Sequence, residues 1–439
     1  MITAQGISSE RRAPAESRPA TENRPATERQ SATERKSATE RPASTQTPRL
    51  RSLDGLRGVA ALIVVVHHSL LMIPALAAPY FNTRAHQDTG PLAWLMTYTP
   101  LHLLWEGEAS VYVFFVLSGI VLTLPVLRST RFSWRAYYPQ RLVRLYLPVW
   151  AAIVFAVITI TAVPRVGTGI SEWLAHRPTL VTPARILRDS TLVNGAGSLA
   201  SPLWSLQWEV IFSLALPVFV VLAVMFRRLL AVKVVLIIGV VLVSAAYGNL
   251  AAFYLSMFLI GTLIATEIDR LRTLGNRIDD ARHPRLVWTV TFMTGLLLMN
   301  AYWLVMITDP PGWMLNGSRG FVLLGAVLVV FVAMAWSGAR RVLEHRLLQW
   351  LGAVSFSLYL VHEPILIASA FVFGPSLVWA AIPVGIVVAF GVTIVFRRFV
   401  ESPSHRLAQA VKRLLTPNGL KNPSRQPPVV SMTGSTVSG

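Results

Sequence analysis

Apolar residues fall in ten blocks separated by polar stretches, at residues 58–78, 108–127, 145–164, 203–226, 231–247, 249–266, 286–306, 319–336, 348–370 and 377–396. Each block is close to the roughly 20 residues that cross a hydrocarbon core as a helix. The pattern predicts an all-α fold, a polytopic membrane helix bundle of about ten transmembrane helices spanning residues 51–410. The fifth and sixth blocks are short, and only Gly248 separates 231–247 from 249–266, with Asn249 at the boundary.

The ends of the chain read differently. Residues 1–50 and 411–439 carry no apolar block and are predicted to be disordered polar tails. Ala-Thr-Glu recurs from Ala20, Ala26, Ala32 and Ala38. No aliphatic position recurs in that six-residue repeat, which argues against a β-helix. The first apolar run starts only after Arg57, which argues against a signal peptide.

Composition supports the membrane reading. The chain of 439 residues is 53% hydrophobic and only 14% charged, where a soluble domain carries about 25% charged residues. Mean hydropathy is +0.53. The net charge of +19 could signal nucleic acid or a membrane. With the N-terminus in the cytoplasm, cytoplasmic segments hold 34 of the 40 Lys and Arg residues. Only Arg84, Arg165, Arg177, Arg185, Arg188 and Arg319 fall on the other side. That alternation obeys the positive-inside rule and predicts both termini in the cytoplasm. It accounts for the basic charge through the lipid bilayer, without nucleic acid. The absence of cysteine excludes disulfides, thiol nucleophiles and Cys-ligated metals. The sequence carries no signal of oligomeric state.

Titratable residues inside spans are costly and mark candidate function. Asp54, Arg57, His67 and His68 occupy the first span or its edge. Arg57 and His68 are eleven positions apart, which leaves them about 20° apart on one helical face and about 16 Å apart in height. His67 points about 80° away from Arg57. Asp54 is spaced to pair with Arg57. Glu106 and Glu108 open the second span, and Ser118-Gly119 lies within it; small residues there also suit close helix packing. Arg141 and Arg144 share a face before the third span and suit an anionic phosphate, membrane anchoring being the competing role. Glu209 enters the fourth span with Trp204 and Trp208, which could equally be interfacial aromatics. Ser355, Ser357, Tyr359, His362 and Glu363 lie in the ninth.

These residues suggest two ends. Arg57, Arg141 and Arg144 belong to the cytoplasmic end, His68 and Ser118 to the middle, and Glu209, Tyr359, His362 and Glu363 to the outer half. A phosphate-bearing donor and a hydroxyl acceptor could meet at His68, acting as general base. No Gly-x-Ser-x-Gly elbow, phosphate loop or metal-spaced cluster is evident, and no metal is expected.

The motifs then resemble those of the acyltransferase-3 family, bacterial integral-membrane acyltransferases that modify sugars and other hydroxyl-bearing acceptors. The resemblance covers about residues 50–410. It rests on Leu53-Asp54-Gly55-Leu56-Arg57-Gly58-Val59-Ala60, on Arg57 and His68 with ten residues between them, and on Phe114-Phe115-Val116-Leu117-Ser118-Gly119. It also rests on Arg141-Leu142-Val143-Arg144 with Tyr146 and Pro148, and on Leu203-Trp204-Ser205-Leu206 with Glu209 and Phe212. The last elements are Ser355-Phe356-Ser357-Leu358-Tyr359-Leu360-Val361-His362-Glu363-Pro364 and Glu401-Ser402-Pro403. The family often has an aromatic or aliphatic residue where this chain has His67.

The resemblance implies a multi-pass protein of the bacterial cytoplasmic membrane that moves an acyl group from cytoplasmic acyl-CoA, usually acetyl-CoA, to a hydroxyl. The acceptor would be a sugar, glycolipid, cell-surface polysaccharide or secondary metabolite. No cofactor is expected, the acyl-CoA being a substrate. Candidate assignments are His68, Arg57 and Glu209 for catalysis, Arg141, Arg144 and Ser118 for the donor, and Tyr359, His362 and Trp204 for the acceptor. A transporter or flippase of a hydroxylated solute or glycolipid is the alternative. It is weakened by the lack of a repeat between the two halves, and a passive scaffold by the charges inside the spans.

Overall fold

The computed structural model describes residues 50–416, apart from 194 and 226. The polar tails predicted over residues 1–49 and 417–439 therefore lie outside the described residues. All regular elements among the described residues are helical. The principal helices are α1 (Arg51–Leu70), α2 (Gly107–Arg128), α3 (Trp134–Ala162), α4 (Leu203–Val224), α5 (Leu230–Ala246) and α6 (Leu250–Thr266). They continue as α7 (Ile268–Asp279), α8 (Pro284–Met299), α9 (Gly312–Ala335), α10 (Arg346–Phe373), α11 (Val378–Phe396) and α12 (Ser402–Leu415). A π-turn over Arg397–Glu401 joins the last two. Helix α12 thus carries regular structure to Leu415, past the expected boundary at residue 410.

All ten predicted blocks form helix, but the count of full spans is lower than ten. Among the described residues, seven helices are long and apolar enough to cross a membrane, or eight if α6 and α7, bent by 73°, form one span. The fifth and seventh blocks make the shorter helices α5 and α8, of 17 and 16 residues. At 1.5 Å per residue these reach about 24–26 Å, short of the roughly 30 Å hydrocarbon core. The causes are local. Gly248 adopts φ +73° after α5, a left-handed conformation that suits glycine. Asn249 then caps α6 by accepting from Ala252 N at 3.0 Å. Helix α8 stops at Asn300, which is fully buried and donates Nδ2–H to Thr99 O at 3.0 Å.

Two glycine-mediated crossings set the bundle. A Cβ on Gly352 would lie 2.0 Å from Asp54 O, and one on Gly58 2.5 Å from Gly352 N, so α1 and α10 pack backbone to backbone. Helices α2 and α6 do the same, since a Cβ on Gly119 would lie 2.4 Å from Phe258 O. Around the second crossing Phe258 packs its ring against the tilted ring of Phe115 at 4.7 Å and stacks on that of Phe212 at 4.6 Å.

The pairings orient the helices. Arg57 meets Gly352 near one end of α1 and His68 meets His362 near the other, so α1 and α10 run parallel. Ser201 meets Glu363 and Ser205 meets Tyr359, so α4 runs antiparallel to α10. Residues 163–202 fold over the histidine end. Asp189, fully buried, fastens this segment by accepting from the backbone N–H of Gly197, Ser198 and Leu199 at 2.8–2.9 Å.

Candidate functional site

The site is built where the last turn of α1 meets the middle of α10. His68 Nδ1 lies 2.8 Å from His362 Nε2. His362 is fully buried, and its Nδ1 lies 2.8 Å from Leu358 O. A carbonyl oxygen only accepts, so His362 Nδ1 carries the proton. With both rings neutral, His362 Nε2 then accepts from His68 Nδ1–H. That leaves the lone pair of His68 on Nε2. The half-buried His68 is thus held with its basic nitrogen turned away from His362.

Trp173, on the short helix Glu172–Ala175, stacks on His68 at 5.6 Å and 24°. It is pinned by Arg177, whose guanidinium lies 4.9 Å over the indole and donates to Glu363 Oε1 at 2.8 Å. Glu363, 1% exposed, also accepts from Ser201 N at 2.6 Å and from Ser201 Oγ. Its carboxylate is therefore fully engaged in tying the 163–202 segment to α10.

His67 faces a second network. Its Nδ1–H donates to Trp105 O at 3.0 Å, and its ring lies 5.1 Å from that of His68. A Cβ on Gly107 would lie 2.6 Å from the His67 ring, so α2 begins flush against it. Tyr80 OH lies 3.4 Å from His67 Nδ1 and 3.2 Å from His102 Nε2. Glu106 pairs with His102 at 2.6 Å and accepts Trp303 Nε1–H at 2.6 Å. Burial by itself would raise the Glu106 carboxyl, but His102, His67 and the Ala109 N–H outweigh it and hold the group below the usual carboxylate value. Burial and the nearby carboxylates of Glu106 and Glu108 hold the Tyr80 phenol well above its usual value.

The other end of α1 carries the cationic residues. Arg57 pairs with Asp54 at 2.9 Å, as their spacing predicts, and donates to Gly352 O at 3.4 Å. Arg57 and His68 thus both face α10. Arg141 pairs with Glu209 and donates Nε–H to Ser213 Oγ at 3.2 Å. Arg144 is exposed and makes no ion pair among the described residues, while lying in electrostatic reach of Arg57, Arg141, Glu209 and Glu401. Glu401 accepts from Ser357 Oγ.

The expected separation of Glu209 from Arg141 into opposite halves does not hold. Glu209 lies one turn beyond Ser205, towards the Arg57 end, because α4 starts at the level of Tyr359 and runs down from there. Tyr359, expected beside the acceptor, uses its phenol to contact Ser205 Oγ at 2.7 Å and to donate to Pro202 O at 3.1 Å. Trp204 packs in a ring cluster, 5.1 Å from Tyr254 and 6.2 Å from Phe115. Ser118 is half-buried beside the Gly119 crossing. Neither contacts the histidine pair. Sequence reasoning gave no role to Trp173, Arg177, Tyr80 or His102; the one available signal was the pair His102 and Glu106, spaced four apart.

A family model described as an acyltransferase domain matches residues 50–398. The chain is 27% identical over 332 residues to an acyltransferase, MdmB, of Streptomyces mycarofaciens, which covers 72% of this chain and 78% of that protein. It is 25% identical over 354 residues to YrhL of Bacillus subtilis, a putative peptidoglycan O-acetyltransferase, covering 72% of this chain and 49% of that one. Over 79 residues, 18% of this chain, it is 37% identical to the O-acetyltransferase PaAT-1 of Phomopsis amygdali, and those residues span 14% of that protein. No solved structure matches.

Proposed function

The chain belongs to the acyltransferase-3 family and is a multi-pass membrane acyltransferase, and from that premise we propose that it transfers an acyl group, usually acetyl, from acyl-CoA to an acceptor hydroxyl with His68 as the general base. The observation that carries this reading is the 2.8 Å contact of His68 Nδ1 with His362 Nε2, itself backed by the Leu358 carbonyl. A base must have its lone pair free and aimed, and this chain of partners leaves that pair on His68 Nε2.

In the proposed reaction, His68 Nε2 takes the proton of the acceptor hydroxyl while that oxygen attacks the thioester carbonyl. The carbon–sulfur bond breaks and the imidazolium returns the proton to the CoA sulfur. Acyl ester and free CoA are the products, with no net proton change. The His362 lone pair and the face of Trp173 stabilise the transient imidazolium. His362 and Tyr359 act as positioning residues, the latter by locking α4 to α10.

The donor's phosphates suit the Arg57 end. Arg144 is exposed and makes no ion pair among the described residues, and it offers a fork for bidentate phosphate contact. Arg141 is oriented by Glu209, which therefore acts on the donor through Arg141 and not on the reacting atoms. Ser118 and Trp204 take packing roles.

The Lys/Arg distribution supports a cytoplasmic location for both termini and for the donor end. It requires α5 and α8 to cross, a mismatch of a few ångströms that a bilayer accommodates by local thinning at modest cost. Both YrhL and PaAT-1 carry O-acetyltransferase in their names, which supports a hydroxyl acceptor. The test is to incubate membranes holding the protein with labelled acetyl-CoA and envelope extract. Label in a new ester, matched by free CoA, is expected; solute uptake without CoA release would overturn the proposal.

A further inference from the structure

A cavity of about 40 Å³ lies beside the histidine end, and no step described so far uses it. Met72, Ile170, Leu174, Ala370, Gly374 and Val378 form most of its wall, and every lining residue has an apolar side chain or none. That is room for about three water-sized groups, but an apolar space offers ordered water no partners. Two glycines with positive φ, Gly169 at +74° and Gly374 at +73°, turn the backbone at the cavity. Nothing lies within 4 Å of a Cβ built on either, so these turns leave the space open.

The cavity continues the seam that holds His68. His68 sits between the last turn of α1, His362 of α10 and Trp173 of the 163–202 segment. The cavity has the same three walls, one step further from Arg57. Met72 follows His68 by four positions, Leu174 follows Trp173 directly, and Ala370 lies two turns past His362. Val378, at the start of α11, closes another side. Trp173, Met72, Leu174, Ala370 and Val378 belong to one apolar cluster. By helical rise, Met72 stands about 6 Å beyond His68 along the α1 direction.

We propose that this cavity receives the acyl chain of the donor, and that the protein therefore uses chains of about four to six carbons as well as acetyl. The inference rests on the acyl-transfer reading above. With the donor's phosphates at the Arg57 end and its thioester carbonyl at His68, the atoms beyond that carbonyl point towards Met72, and those atoms are the acyl chain. An acetyl group ends at the histidines and leaves the cavity empty. A longer chain reaches it and exchanges water for apolar walls, which is favourable for each methylene. An acceptor hydroxyl would find no hydrogen-bond partner there, and burying it would be costly.

The test uses the full-length protein in proteoliposomes with envelope extract, and follows CoA release from acetyl-, butyryl-, hexanoyl- and dodecanoyl-CoA. The expected kcat/KM rises from acetyl to butyryl or hexanoyl, by up to about fourfold per buried methylene, and falls at dodecanoyl. Ala370→Phe and Val378→Phe each fill the cavity. Each should lower kcat/KM for butyryl- and hexanoyl-CoA by about tenfold or more, with acetyl-CoA within about twofold of the wild type. The two positions lie on different helices, so the second variant keeps the test valid if the first fails to fold. A kcat/KM that is highest for acetyl and falls with every added carbon would overturn the inference, as expected if a bilayer lipid chain fills the space instead. Variants that slow all donors equally, or none, would overturn it too. Each of those results leaves CoA release from acetyl-CoA, and with it the acyl-transfer reading, in place. No CoA release from any donor would overturn that reading first.

Discussion

Arg177 donates to Glu363 across the histidine end of the bundle, and Glu363 is the residue that follows His362. One ion pair therefore ties the segment carrying Trp173 to the helix carrying His362. The histidine pair and its aromatic cover are held by the same contact.

Breaking that contact should cost stability and activity together. Arg177→Ala leaves the Glu363 carboxylate, 1% exposed, without its cation. Loss of one partner of a buried pair costs about 3–5 kcal/mol. A clear fall in the thermal midpoint of the detergent-solubilised protein is expected, along with reduced transfer as Trp173 loses its hold. An unchanged midpoint would show that the pair carries little.

The Glu106 carboxyl links stability to pH. Its value in the folded protein lies below its ordinary 4.5. Its contribution is thus fully present above about 4.5, where the unfolded carboxylate is also ionised, and is lost as pH falls through the depressed folded value. The wild type should lose thermal stability along an acid limb that begins below that point. Glu106→Gln should flatten the limb while lowering stability at neutral pH. An identical acid limb in both proteins would exclude Glu106 as its source.

Backbone contact between α1 and α10 leaves no room for a side chain. Gly352→Ala would put a methyl 2.0 Å from Asp54 O. Overpacking of this kind costs roughly 1–3 kcal/mol and here also moves Arg57 and His68 relative to α10. Gly90→Ala, where nothing lies within 4 Å, is the matched control and should unfold as the wild type does. Equal midpoints for the two variants would contradict the crossing geometry.

Arg144 gives the donor a measurable signature. Arg144→Gln should raise the KM for acetyl-CoA by about tenfold, in line with one lost charge-assisted contact, with little change in kcat. The same variant should discriminate less between acetyl-CoA and its dephosphorylated analogue. A loss confined to kcat would place Arg144 elsewhere in the reaction.

Much of this was legible in the chain before the fold. The ten blocks all became helices, because apolar length needs no partner to be read. Arg57 and His68 both turned towards α10, because helical rotation is local geometry. Partners were not legible. His68 and His362 are 294 positions apart, and nothing in either segment specifies the other. Glu209 was expected opposite Arg141 because a hydropathy profile gives no relative depth for two neighbouring helices. Trp173 lies in a connection between spans, where periodicity carries no signal. The shortness of α5 and α8 came from Gly248 and Asn300, whose effect on helix length appears only when the turn and the buried Thr99 contact are seen.

The most direct test of the central claim is the transfer rate of His68→Ala beside that of His362→Ala, in proteoliposomes with labelled acetyl-CoA and a confirmed acceptor. The account predicts that His68→Ala loses the general-base contribution, about 100-fold or more, while still binding acetyl-CoA and unfolding at a near wild-type temperature. His362→Ala, which frees the tautomer of His68 without removing its base, should lose less. Transfer by folded His68→Ala at the wild-type rate would contradict it.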